Sequence, residues 1–128
     1  MEWAAELYAH AIAVEREAAL RYAELASRMP GQDREAAARL FAEFARLQAA
    51  HLVALQRQTA GIALPDLTSD HTWPEGEDPL ARALQAERDA HAFFEQARRV
   101  SPDPAGRAIA EEMAGEESEH IARLESLR

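Results

Sequence analysis

Helix-breaking residues are confined to a few points of this chain. Most of its six Pro and five Gly residues fall at positions 30–31, 61–79 and 102–106. The stretches between are rich in Ala, Glu, Arg and Leu, which favour helices. Asp33, Asp78 and Asp103 stand where helices would begin, and the last two precede Pro, a common first helical residue. The pattern predicts four helices, running from Glu2 to Met29, from Asp33 to about Thr59, from Pro79 to about Arg99 and from Pro104 nearly to Arg128.

The lengths of the connections predict how these helices are arranged. The first and third connections are short, so helices 1 and 2 and helices 3 and 4 should form antiparallel hairpins. The middle connection, from Ile62 to Glu77, could run the length of a helix of about 24 residues, or about 36 Å. We expect it to let helix 3 begin at the end where helix 1 begins, and Leu64, Leu67 and Trp73 to hold it against the bundle. The predicted fold is all-α: a four-helix bundle of two antiparallel hairpins joined by a long crossover link, with residues 1–128 as one domain.

Composition argues against several classes of protein. The net charge of -9, with no cluster of basic residues, argues against a nucleic-acid partner. The absence of Cys excludes disulfides and thiolate metal sites. No apolar run approaches the roughly 20 residues of a membrane span, and the acidic N-terminus is unlike a signal peptide. We therefore expect a soluble cytoplasmic protein.

Each predicted helix has an apolar seam that polar residues interrupt near its middle. Glu15 lies about 14 residues before the end of helix 1, and Gln48 about 15 after the start of helix 2, so the two should meet at one level. The same reasoning brings Glu87 level with Glu117. We therefore expect six residues to share one layer: Glu15, Gln48, His51, Glu87, Glu117 and His120.

The two halves of the chain resemble each other. Glu15-Arg-Glu-Ala18 matches Glu87-Arg-Asp-Ala90, and Gln48-Ala-Ala-His51 matches Glu117-Ser-Glu-His120. A repeated hairpin predicts a pseudo-twofold axis through the polar layer. Carboxylates and imidazoles gathered around such an axis suit a pair of metal ions.

This pattern resembles the ferritin-like superfamily and, within it, the rubrerythrin-like proteins. These proteins carry one Glu on each of helices 1 and 3, a Glu-x-x-His on each of helices 2 and 4, and a long link in the middle. The resemblance implies two iron ions, or alternatively manganese or a single ion, that react with oxygen or peroxide as a peroxidase or ferroxidase. An external electron donor would be needed, because the chain has no Cys to hold an electron carrier. The implied metal-site residues are Glu15, Gln48, His51, Glu87, Glu117 and His120.

Gln48 stands where the family has a bridging Glu. Four carboxylates would neutralise two divalent ions, whereas three leave one positive charge uncompensated in the core and should weaken binding of the second ion. An amide oxygen can still bind a hard ion. The alternative is a non-catalytic bundle that binds metal or forms a homodimer, with an incomplete site held by hydrogen bonds between Glu and His.

Neighbouring residues leave further alternatives open. His91, one turn after Glu87, could be a replacement ligand or support one, although a surface position is more common for such a residue. Tyr22 could donate a hydrogen bond to a ligand carboxylate or only pack. Gly115 would permit close packing or a local bulge beside Glu117. We expect exposed positions for five residues: His10, Glu17, His71, Glu116 and Glu119.

Overall fold

A computed structural model describes residues 3–28 and 35–128. It contains four long helices: α1 (Trp3–Ser27), α2 (Glu35–Gln58), α3 (Pro79–Val100) and α4 (Pro104–Glu125). No strand occurs in these two ranges. Within them, no helix combines the length and the apolar character that a membrane span requires. The predicted all-α architecture is therefore confirmed.

The starts of α3 and α4 follow from their capping residues. Asp78 Oδ1 accepts a hydrogen bond from Leu80 N at 3.0 Å, and Asp103 Oδ1 accepts one from Gly106 N at 2.5 Å. Both helices have Pro in their first turn, where the missing N–H costs nothing. The predicted breaker at 30–31 and the predicted cap at Asp33 lie outside the described residues.

The two apolar clusters of the core show how the helices run. α1 packs along α2, and α3 along α4, as the predicted hairpins. At one end of the bundle, the start of α1 and the end of α3 contribute to one cluster, which includes Leu7, Ala11, Leu55, Phe94, Ala97 and Ile109. At the other end, the second cluster includes Tyr22, Leu25, Phe41, Leu84 and Leu124.

α3 therefore begins at the end of the bundle where α1 ends. Our prediction that it would begin where α1 begins is wrong. The reason is geometric: α2 returns the chain to the level at which α1 starts, so a link that runs the length of the bundle must arrive at the opposite end. The single crossover itself is as predicted.

The crossover link lies against α1. It contains a short 3-10 helix, Thr68–His71, that contacts α1. The Trp73 ring then packs perpendicular to the Tyr22 ring, with 5.0 Å between their centroids. Leu64, Leu67 and Trp73 are all partly buried, in agreement with their predicted role.

We expected His10 and His71 to be exposed, but both are partly buried. His10 Nδ1 lies 2.8 Å from His71 Nε2, and both rings pack against Phe93. The link brings His71 over α1, so that both rings are partly buried. Their burial depends on the path of the link, which helix periodicity does not give.

Candidate metal centre

The six predicted site residues lie together in one polar layer between the two apolar clusters. Five are buried, with exposed fractions of 0% for Glu15, 1% for Gln48, 3% for Glu87, 1% for Glu117 and 5% for His120. The sixth, His51, exposes 19% of its side chain. Burying three carboxylates at one level is costly unless each is protonated, hydrogen-bonded or paired with a cation.

The carboxylates and imidazoles form two clusters. In the first, His51 Nδ1 lies 3.3 Å from Glu15 Oε2 and 3.0 Å from Glu116 Oε2. In the second, which also contains Glu117, His120 Nδ1 lies 3.4 Å from Glu87 Oε2. In each cluster, one potential ligand atom from each of the three residues lies within 4.8 Å of the others. Each cluster could therefore hold a metal ion.

Gln48 lies between the two clusters. With its amide oxygen facing His120, Oε1 accepts a hydrogen bond from His120 Nδ1 at 3.0 Å, and Nε2 donates to Glu15 Oε1 at 3.0 Å. We assign this orientation because it gives both ends of the amide a partner, whereas the opposite one faces the amide nitrogen toward His120 and the oxygen toward a carboxylate. Gln48 thus connects the clusters by hydrogen bonds.

The electrostatics of the layer favour a cation. Burial raises the pKa of Glu15 well above its ordinary value. Burial likewise raises the pKa of Glu117, and the nearby carboxylates of Glu87 and Glu15 raise it further. Glu117 Oε1 is buried and has no hydrogen-bond partner in the described part of the chain. A bound cation would satisfy that oxygen and stabilise the charged carboxylates.

Two solved structures resemble the whole bundle. An uncharacterized conserved protein from Magnetospirillum magnetotacticum MS-1 is 30% identical, with a TM-score of 0.87 over 95% of this chain and 91% of that chain. A dodecameric thioferritin, the bacterioferritin-related protein from Bacteroides fragilis, is 18% identical, with a TM-score of 0.77 over 98% of this chain and 83% of that chain. The chain belongs to the ferritin-like superfamily. No protein-family model and no curated protein matches its sequence.

In this ferritin-like bundle, Tyr22 supports the second cluster. Its hydroxyl is buried and donates a hydrogen bond to Glu87 Oε2 at 2.6 Å, so of the two alternatives the hydrogen-bonding one is correct. Burial raises the pKa of Tyr22 well above its ordinary value, and the nearby Glu87 carboxylate raises it further. The phenol therefore remains a donor at neutral pH and fixes one oxygen of Glu87.

The first cluster is supported from α4. His51 Nε2 lies 3.3 Å from Glu112 Oε1, while His51 Nδ1 faces Glu15 and Glu116. Two hydrogen bonds from His51, the more important to Glu116 and the other to Glu15, raise the pKa of His51 to about 11, so the ring carries an extra proton in the metal-free protein. A metal ion would have to displace that proton, because only a deprotonated nitrogen binds metal.

Glu116 is the site residue that sequence reasoning missed. We expected it on a solvated face, but its side chain is only 20% exposed and faces His51. The available signal was its spacing from Glu112: residues four apart share one face of a helix, here the face of α4 that approaches His51 on α2. The prediction failed because that face lies beside the apolar seam and not within it.

The other predictions for neighbouring residues had mixed outcomes. Glu17 is buried, not exposed, and its carboxylate accepts a hydrogen bond from Arg21 Nε at 2.8 Å. Glu119 is exposed as predicted, and His91 is partly buried and belongs to neither cluster. Gly115 lies in a continuous stretch of α4 where an added Cβ would meet nothing within 4 Å. The expected bulge or close packing at Gly115 is therefore wrong.

Proposed function

We propose that this ferritin-like protein binds two metal ions, preferentially iron, and uses them to react with peroxide or oxygen as a peroxidase or ferroxidase. The observation that carries the proposal is a buried layer in which two Glu and His clusters lie side by side. That layer has more carboxylate than its imidazoles can neutralise. The long link and the intact Glu-x-x-His on α4 favour the rubrerythrin-like subtype.

The donor atoms fit this proposal. Carboxylate oxygens and imidazole nitrogens are ligands for iron and manganese alike, so manganese or a single ion remains the alternative cofactor. Glu15 and His51 would hold one ion, and Glu87, Glu117 and His120 the other. Glu117 Oε1, which accepts no hydrogen bond from any residue that the structure describes, is an acceptor that a cation would satisfy. When bound, a pair of ferrous ions supplies the electrons that oxygen or peroxide takes up.

The chain's own residues prepare this layer. Tyr22 fixes Glu87 through its hydrogen bond, and Glu112 faces the nitrogen of His51 that points away from the cluster. The apolar clusters bound the layer on both sides, and the carboxylates of Glu15, Glu87 and Glu117 are buried between them. Because the chain has no Cys, electrons must come from an external donor. The cytoplasm, which keeps thiol reductants available, would suit such a protein.

A non-catalytic role is the second candidate. Gln48 satisfies both of its amide groups within the layer, as expected of a metal-binding bundle with an incomplete site. α1 and α2 also expose large apolar side chains, with exposed fractions of 53% for Leu20, 47% for Leu47 and 44% for Val53. A homodimer through these helices would cover them, and the Bacteroides thioferritin is itself an oligomer.

Anaerobic loading with Fe(II), followed by oxygen or peroxide, tests the proposal. We expect two ions per chain, near-ultraviolet absorption of oxidised iron and consumption of peroxide. The variant Glu117→Ala should lose an ion, whereas the matched control Glu119→Ala, exposed on the same helix, should not. No bound iron in the wild-type protein would refute the proposal. Two bound ions without any reaction would leave the non-catalytic metal-binding protein.

A further inference from the structure

The repeat that relates the helices relates the two clusters only in part. The repeat pairs Glu15 with Glu87, Gln48 with Glu117 and His51 with His120. One step before Gln48, it pairs Glu116 with Leu47, an apolar residue that is 47% exposed. Glu116 therefore has no equivalent in the first half of the chain. It adds a carboxylate to the first cluster, to which α2 contributes His51 but carries Gln48 where α4 has Glu117.

We propose that Glu116 is a metal ligand and supplies the carboxylate that Gln48 lacks. This inference rests on the proposed function, because it concerns the same pair of ions. It changes the ligand set from the one implied by the helix motifs: Glu15, His51 and Glu116 hold one ion, and Glu87, Glu117 and His120 hold the other.

The geometry around His51 supports this assignment. Both oxygens of Glu116 lie close to His51 Nδ1, at 3.1 and 3.0 Å. The same nitrogen lies 3.3 Å from Glu15 Oε2, so two carboxylates from different helices converge on one imidazole nitrogen. The other nitrogen of His51 faces Glu112. An imidazole held through one nitrogen by a carboxylate, with the second facing further carboxylates, is the usual arrangement around a protein-bound metal ion.

The charges of the layer also balance when Glu116 is included. Each cluster then has two carboxylates and one imidazole, so each can neutralise one divalent ion. Without Glu116, the first cluster would offer a single carboxylate, and the uncompensated charge would lie in the core beside Glu15. The Gln48 amide is already committed to His120 and Glu15. Independently, the buried Glu117 Oε1 of the adjoining cluster has no hydrogen-bond partner among the described residues, and a second cation would satisfy it.

Titration of the apoprotein with Co(II) tests the inference without any oxygen chemistry. Calorimetry counts the ions, and the visible absorption of Co(II) reports their ligands. We expect two ions for wild type, and for Glu116→Gln a second ion bound at least tenfold more weakly with its absorption changed. Glu119→Gln, the matched control on the exposed face of α4, should behave as wild type. The double variant Gln48→Glu/Glu116→Gln should regain the second ion.

The outcomes separate this inference from the proposed function. Unchanged affinity and absorption in Glu116→Gln, with two ions still bound, would overturn the role of Glu116 and leave the di-metal proposal intact. Failure of the double variant to regain the second ion would also count against the inference. A wild-type protein that binds fewer than two ions would overturn the proposed pair, and the inference with it. Circular dichroism of each apoprotein confirms that the variants are folded.

Discussion

Replacing Tyr22 with Phe should destabilise the apoprotein through the loss of one hydrogen bond. The Tyr22 ring is fully buried, and Phe preserves its packing against Phe41 and Phe44. The hydroxyl donates to Glu87 Oε2 at 2.6 Å. Hydrogen bonds to carboxylates contribute about 1.5–3 kcal/mol to stability. We therefore expect the free energy of unfolding to fall by about 2 kcal/mol, which for a domain of this size lowers the melting temperature by roughly 6–10 °C.

Urea and thermal unfolding of the metal-free protein at neutral pH would measure this change. Tyr8→Phe is the matched control, because Tyr8 packs partly buried against an apolar cluster and its hydroxyl bonds to no other described residue. It should change stability by less than about 0.5 kcal/mol. Equal losses in the two variants would show that the Tyr22 hydroxyl does not stabilise the layer, and the reasoning about Glu87 would be refuted.

Three further predictions concern charge in the same molecule. Glu117→Gln should stabilise the apoprotein by about 1–2 kcal/mol at pH 8, measured by urea unfolding, because a neutral amide replaces a buried carboxylate of which one oxygen has no hydrogen-bond partner among the described residues; lower stability would contradict this. The apoprotein should lose stability as pH rises from 6.5 to 9, because the unfolded chain releases the His51 proton near pH 6.5 whereas the folded protein holds it up to a pKa of about 11, and the raised pKa values of Glu15 and Glu117 act in the same direction. Saturating Zn(II) should reverse or flatten that decline, and an unchanged slope would argue against binding in the layer. Burial and the neighbouring His10 lower the pKa of His71 to about 4. As pH falls from 6.5 to 4, the free energy of unfolding of wild type should therefore fall by about 1–2 kcal/mol relative to that of His71→Phe, after allowance for partial exposure. Parallel curves of unfolding free energy against pH for the two proteins would refute this.

The helices and their pairing could be predicted because the signals are local. Asp before Pro sets the starts of α3 and α4, and short connections force adjacent helices to be antiparallel. To predict the end at which α3 begins, one must also take into account that α2 returns the chain to the level where α1 starts before the link crosses the bundle. The burial of His10 and His71 depends on where the link lies, and its sequence contains no periodic pattern that fixes that path.

The polar layer could be predicted because depth along a helix follows from counting residues. Glu15, Gln48 and Glu87 came out buried since each interrupts an apolar seam at the same level. The burial of Glu17 and the partial burial of Glu116 could not be predicted, because both residues lie beside a seam, where exposure depends on the side chains of neighbouring elements. For Glu116 the neighbour is His51, 65 positions earlier in the chain. Only the packing of α4 near α2 brings the two together.

The centre of a repeated hairpin explains how Glu116 can compensate for Gln48. Near a pseudo-twofold axis, side chains from the two halves of the chain lie next to each other, so a ligand missing from one half can be supplied by the other. What binding requires is a sufficient number of carboxylate oxygens around each imidazole, whichever helix they come from. A comparison of motifs helix by helix finds one intact Glu-x-x-His and one broken copy. In charge, however, the two clusters are equal, because His51 and His120 each lie beside two carboxylates. If the Co(II) titration shows that Glu116→Gln weakens binding of the second ion and that adding Gln48→Glu restores it, the number of carboxylates around each imidazole, and not the helix motif, determines how many ions this bundle holds.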